Sequence, residues 1–198
     1  MPATLPIPIT FELPSPDWAP RDPDAAGVRN AAFLAVREVP GDYAPVLSIA
    51  GDFRDDAATL EDIADEALQL RTAEVGGPVR VLHRALVGSA KVPALLHVLG
   101  FDLTAAGRSF ALVQAQVFMA VPAAVPPQRS PQEAPGGPVV PAQATGSVSE
   151  QQPAQDPAAD EPQIRRVVLV FAMTAERDQA ASMLEELQRF VQSVQPQT

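Results

Sequence analysis

No cysteine occurs in this chain, which excludes disulfides, thiolate metal sites and a lipid carried on cysteine. Positive charge is scarce: 14 Lys and Arg stand against 24 Asp and Glu, for a net charge of −10. That balance argues against nucleic acid or an anionic membrane surface as a partner, because both need a positive field. Long hydrophobic runs are missing too, and none approaches the roughly 20 residues that span a bilayer, so membrane insertion is not expected. The start, Met1-Pro2-Ala3-Thr4-Leu5-Pro6, has neither a basic segment nor an apolar one of the signal-peptide kind. The expectation is an unexported, cytoplasmic protein. There is no Gly-x-Ser-x-Gly nucleophile elbow. Gly76-Gly77-Pro78 is a helix stop rather than a phosphate loop, because proline removes a donor from the would-be nest. No catalytic residue, cofactor or metal ligand is assigned, and the protein is read as no enzyme.

What is present is a core. Hydrophobic residues make up 46% of the 198 positions, enough for one ordinary domain. Its clearest stretch is the last. Val167 to Met173 is apolar at every position and rich in β-branched residues, the pattern of a strand buried on both faces. Thr174 is expected to cap a following helix. There Ala180, Met183, Leu184, Leu187, Phe190, Val191 and Val194 recur at three- and four-residue spacing and form one apolar stripe.

Upstream, alternation at Ile7, Ile9, Phe11 and Leu13 predicts a first strand, at an edge because of Pro8. Pro14, Pro16, Pro20 and Pro23 predict an irregular crossing that carries Trp18, the sole tryptophan. Strands are expected over 29–38 and from Val46 to about Phe53. Thr59 with Asp62 approximates a capping box and opens a helix buried through Leu60, Ile63, Ala67 and Leu70. Three long strands follow, Val79–Val87, Val92–Leu103 and Ser109–Val121, joined by hairpins. Residues 122–163 hold ten of the 22 prolines among Ala, Gln, Gly and Ser and have no aromatic residue. This composition cannot offset its ordering entropy and predicts a disordered insertion. The domain is thus formed by 1–121 and 164–195. Its class is α+β: a twisted, mostly antiparallel sheet of six to seven strands flanked by two main helices.

Two groups of polar residues compete for a role. Asp52, Asp55, Asp56, Glu61, Asp62, Asp65 and Glu66 are the densest acidic cluster. Their spacing fits no calcium loop, and acids at a helix start answer the helix dipole without any metal. Within the sheet, a three-residue turn at Ser89-Ala90-Lys91 would set His83 opposite His97. If Leu103 faces Arg108, Gln114 falls beside His97, with Gln116 on the same face. His83, His97, Gln114 and Gln116 would then form a row in an incompletely covered groove where a ligand or peptide binds. The alternative is ordinary cross-strand neighbours. Trp18 is either a partner anchor or a plug at one end of the core.

Taken together, Ile9-Thr10-Phe11-Glu12-Leu13-Pro14 with Trp18, Leu47-Ser48-Ile49 leading to Thr59-Leu60, Phe110 to Phe118, and the closing Val167–Phe171 strand with its Phe190-to-Val194 helix end resemble the superfamily of PsbP, DcrB and Mog proteins. Within it the chain is most similar to the LpqN-type proteins of actinobacteria. The resemblance implies an antiparallel sheet flanked by helices and a non-enzymatic binding or adaptor role. LpqN-type proteins carry an export signal and a lipid-modified cysteine, and this chain shows neither; DcrB-like relatives include cytoplasmic chaperones for secreted effectors. The expected function is therefore a cytoplasmic protein-binding module, an adaptor or chaperone with a link to secretion. The alternatives are a small-molecule-binding domain or enzyme with a pocket on the sheet face, and a structural component that self-associates as a homo-oligomer.

Overall fold

The computed structural model of the chain describes residues 3–28, 30–39, 43–54, 56–105, 107–122 and 166–197. All described elements belong to one compact unit formed by residues 1–123 and 165–198. The stretch read as a disordered insertion lies outside the described residues apart from Pro122.

Seven strands make one sheet: β2 (Trp18–Arg21), β3 (Phe33–Arg37), β4 (Val46–Arg54), β5 (Arg80–Gly88), β6 (Pro93–Ala105), β7 (Arg108–Pro122) and β8 (Arg166–Glu176). Their spatial order is β2-β3-β4-β8-β7-β6-β5, antiparallel at every joint. A separate pair joins β1 (Ile9–Thr10) to β9 (Gln195–Pro196). Two helices, α1 (Leu60–Val75) and α2 (Ala180–Ser193), complete the α+β architecture.

The apolar run at 167–173 is the centre of this sheet. β8 pairs with β4 along one edge and with β7 along the other. One of its faces, with Val167, Leu169, Phe171 and Met173, packs beneath Met183, Leu187 and Phe190 of α2. Phe190 meets Phe171 and Phe11 edge-on, at 5.9 and 5.4 Å. Leu5, Ile7, Ile9, Phe11 and Leu13 pack on the same side. The other face carries Val168, which clusters with Leu95, Phe118 and Ala120 beneath Leu60, Ile63 and Ala64 of α1. The sheet is therefore the middle of three layers.

Several local expectations need correction. Only Ile9–Thr10 of the predicted 7–13 strand is hydrogen-bonded as a strand, because its partner is the two-residue strand β9 rather than the sheet. The proline-rich crossing does contain a strand, β2. Trp18 pairs with Arg37, and Pro20 sits on the sheet edge, where its missing donor matters least. Thr174 caps no helix. β8 continues to Glu176, a 3-10 turn spans Arg177–Gln179, and α2 starts at Ala180. The Thr59–Asp62 pairing is a full capping box with both reciprocal bonds, and Gly76 ends α1 in the left-handed conformation. Leu70 is 67% exposed. The helix turns its seat onto Ala64, Ala67 and Arg71, and Leu70 lies about 100° round from Arg71. No helix among the described residues is long and apolar enough to cross a membrane.

Phe190 tests this layering most simply, since it is almost fully buried between two aromatic rings. Phe190→Ala is expected to lower the free energy of unfolding in urea by about 3–5 kcal/mol. A loss below about 1 kcal/mol would mean that α2 is an accessory to the fold.

Candidate binding surface

The two hairpins decide where the polar residues go. Gly88 pairs with Pro93, so the first turn has four residues, Ser89 to Val92, closed by the Ser89 amide on the Val92 carbonyl at 3.1 Å. Gly88 has φ +87°, and a Cβ there would meet the Val92 carbonyl oxygen at 2.6 Å, so only glycine fits. A β-bulge between Val81 and His83 shifts the register again. Leu82, the extra residue, lies over Gly100. As a result His83 opposes Val98 and is exposed on the α2 side, while Arg84 opposes His97 on the α1 side. In the second hairpin Leu103 faces Phe110 rather than Arg108, so His97 pairs with Gln116, and Gln114 with Leu99. The predicted row thus loses His83, keeps His97, Gln114 and Gln116 on one face, and gains Arg84. Leu86 lies on the α1 side, opposite Leu95.

This row is no open groove. It lies within the seven-stranded sheet on the face that α1 covers, and all three side chains are buried. Gln114 donates through Nε2 to Thr174 Oγ1 at 2.9 Å and accepts from Arg71 Nε at 3.1 Å and from Gln116 Nε2 at 3.1 Å. Arg71 also pairs with Glu74 at 2.9 Å and stands over Phe101. Arg84 pairs with Asp65 of α1 and places Nη2 3.2 Å from His97 Nε2. A guanidinium can only donate, so Nε2 is the acceptor and the proton sits on Nδ1. His97 is 0% exposed. Burial, and then the Arg84 charge, push its pKa below the ordinary histidine range against the opposing pull of Asp65. The neutral ring is therefore the folded form. Burial likewise raises the Tyr43 pKa, with the Arg71 charge pulling the other way.

Trp18 is 2% exposed and belongs to the core. Its Nε1 donates to Glu186 of α2 at 3.1 Å, the other Glu186 oxygen takes Arg37 at 2.7 Å, and the Arg37 guanidinium stacks over the indole. One carboxylate thus ties β2 and β3 to α2. Four of the described members of the acidic cluster have other duties. Asp56 and Glu66 pair with Arg54, Asp62 closes the capping box, and Asp65 holds Arg84. Arg54 lowers the Asp56 pKa, and the Thr59 amide lowers that of Asp62. Among the described residues, no group of three side chains is placed to hold a metal.

The surface that is open lies elsewhere. Seven large hydrophobic residues are exposed among the described residues, and five of them are Val81, Leu82, Leu86, Val87 and Val92, on β5 and its turn. β5 ends the seven-stranded sheet, so its outer edge has no strand partner there. Beside it a groove of about 660 Å³ runs between the β5–β6 turn and α2. Its floor is Ala94, Leu96, Val117 and Met119. Leu184, Leu187 and Val191 form one wall, Val87 and Val92 the other, with Glu185, Gln188 and Gln192 at the helix rim. Sequence reasoning placed these residues in elements but missed the surface. A run such as Val81-Leu82 to Leu86-Val87 reads as core, and only the strand order shows that, among the described residues, no strand follows β5 in the sheet.

No protein-family model matches the chain, and no curated protein matches it in sequence. Among solved structures it is similar to LpqN of Mycobacterium tuberculosis, a protein involved in cell envelope biogenesis, with a TM-score of 0.48 and 13% identity over 98% of this chain and 86% of that one. At that level the similarity bears on no residue, ligand or location of this chain.

Two predictions follow from the buried contacts. A histidine held neutral contributes stability that is present above its unfolded pKa of about 6.5 and is lost as pH falls towards the lower folded value. The thermal midpoint is expected to fall between pH 7 and 5, and His97→Gln should flatten that slope while the same change at exposed His83 does not. An unchanged slope in His97→Gln would contradict the assignment. Glu186→Ala removes both clasp bonds at once. It should cost about 1–3 kcal/mol and red-shift the emission of the sole tryptophan; native emission at full stability would show that the clasp is idle.

Proposed function

We propose that this chain is a non-enzymatic protein-binding module, an adaptor or chaperone, that receives an apolar segment of a protein partner in the groove between the β5–β6 turn and α2. The observation that supports this most is the gathering of exposed apolar side chains on one edge strand and its turn, next to an apolar groove. Exposed apolar side chains gathered along one sheet edge and its adjoining groove are of the kind that marks interaction sites. Largely exposed side chains such as Leu86, at 68%, add little to folding where they stand and gain most when something covers them.

A small-molecule site is the second reading, because 660 Å³ falls within the range of ligand cavities, about 300–1,000 Å³. A ligand seated in the groove would leave Val81, Leu82 and Leu86 still in water, since none of them lines it. A polypeptide can cover both.

Val87 and Val92 are exposed, so Val87→Asp/Val92→Asp should fold with a thermal midpoint within a few degrees of the parent. A tagged parent chain should retain a stable protein partner from lysate of its native host, and the double variant should retain at least tenfold less of it. Equal retention by both proteins would refute this surface, and recovery of a small molecule without protein would favour the second reading.

A further inference from the structure

Resting on that reading, we propose the chemistry of the partner segment and its mode of attachment: an extended strand, apolar at alternate positions and acidic towards both ends, that adds to the free edge of β5.

The first support is the edge. β5 offers a regular stretch from His83 to Gly88, past the bulge at Val81/His83, about 20 Å long at about 3.3 Å per residue. The strand flanks it with Leu82, Leu86 and Val87, on both faces of the sheet. Edge strands are ordinarily shielded by inward charge, proline or a covering element. Here the bulge blunts the first residues, and among the described residues nothing covers the rest. A peptide added as a strand gains main-chain hydrogen bonds from the edge and packs alternate side chains towards the groove.

The second support is charge. From Val75 to Phe101 the chain has no acidic residue, although it carries 24 elsewhere, and it includes Arg80, Arg84 and Lys91. Arg84 is engaged with Asp65 and His97. Arg80 and Lys91, one at each end of the edge, are exposed and form no ion pair within 4 Å among the described residues. In a protein of net charge −10 this is a basic-ended, apolar strip, complementary to an acidic-ended, apolar strand. The same charges decide against a second copy of this chain. A two-fold antiparallel pairing of β5 with itself would set Arg80 of one copy towards Lys91 of the other at both ends, and like charges oppose such contacts.

The test uses the full chain as bait for a phage-displayed library of random 12-residue peptides. Enriched sequences are expected to alternate apolar residues and to carry Asp or Glu near both ends. The leading sequence, made as a labelled synthetic peptide, should lose affinity at least fivefold with Arg80→Glu/Lys91→Glu, a variant altered only at exposed positions, and also between 50 and 300 mM salt. Amide exchange at 83–88 should slow when it binds. Enriched peptides with apolar residues three and four apart, displaced by Val87→Asp/Val92→Asp, would overturn strand addition and leave the binding reading intact. A dimer by sedimentation, abolished by Leu86→Lys, would assign the edge to a second copy and overturn the proposal. A monomer that enriches no peptide would overturn both.

Discussion

The rest of this fold depends on one strand that has no face to give to water. β8 is hydrogen-bonded along both edges, to β4 and to β7, and is apolar from Val167 to Met173. A strand of that kind requires a covering layer on each side. α2, with the N-terminal apolar segment, supplies one layer and α1 the other. Cover is limited by width. Seven strands about 4.8 Å apart span roughly 30 Å, whereas a helix with its side chains is about 10–12 Å across. α2 packs on the middle of the sheet and does not reach β5. The groove and the exposed edge are what this mismatch leaves over, and the proposed function is seated there.

The two covering layers are fastened differently. Beneath α2 the contacts are apolar, with Glu186 as a polar clasp at one side. Beneath α1 an apolar patch from Leu60 to Ala64 gives way to Asp65 and Arg71, which hold Arg84 and Gln114 of the sheet. Buried polar groups are tolerated when they are hydrogen-bonded and are costly when a partner is removed. The polar row therefore fixes where α1 sits along β6 and β7. Its closed position, with His97 fully buried, suits it to holding the fold together, and the proposed binding surface lies outside it, at the β5 edge and the groove beside α2.

Much of this was legible in the sequence, and the remainder failed for identifiable reasons. Strand type followed from the unbroken, β-branched apolar run at Val167–Met173, and helix type from periodicity along Met183, Leu187 and Phe190. The Thr59/Asp62 spacing gave the capping box. Parity alone put His97, Gln114 and Gln116 on one face, because alternation survives an error of two residues in register. Register itself did not survive. It depended on counting turn residues at Gly88, where the left-handed backbone admits a four-residue turn, and on a bulge at Leu82 that no local signal announces. Thr174 carries the residue type of a helix cap, yet its hydroxyl accepts from Gln114 inside the sheet, a tertiary contact that outweighs local propensity. β2 was hidden because prolines surround it, and proline is tolerated at an outer edge. The binding surface was hidden most completely. Exposed and buried apolar residues look alike until strand order is known.

The central claim is that the β5 edge and the adjoining α2 groove are where a partner sits. The most direct measurement is backbone hydrogen exchange of the full chain, alone and bound to a protein partner purified with it from its host. Protection is expected to rise at 80–96 and 184–192 and to stay unchanged at 18–38, the opposite edge of the sheet. Protection confined to 18–38, or spread evenly with no increase on β5, would contradict the account.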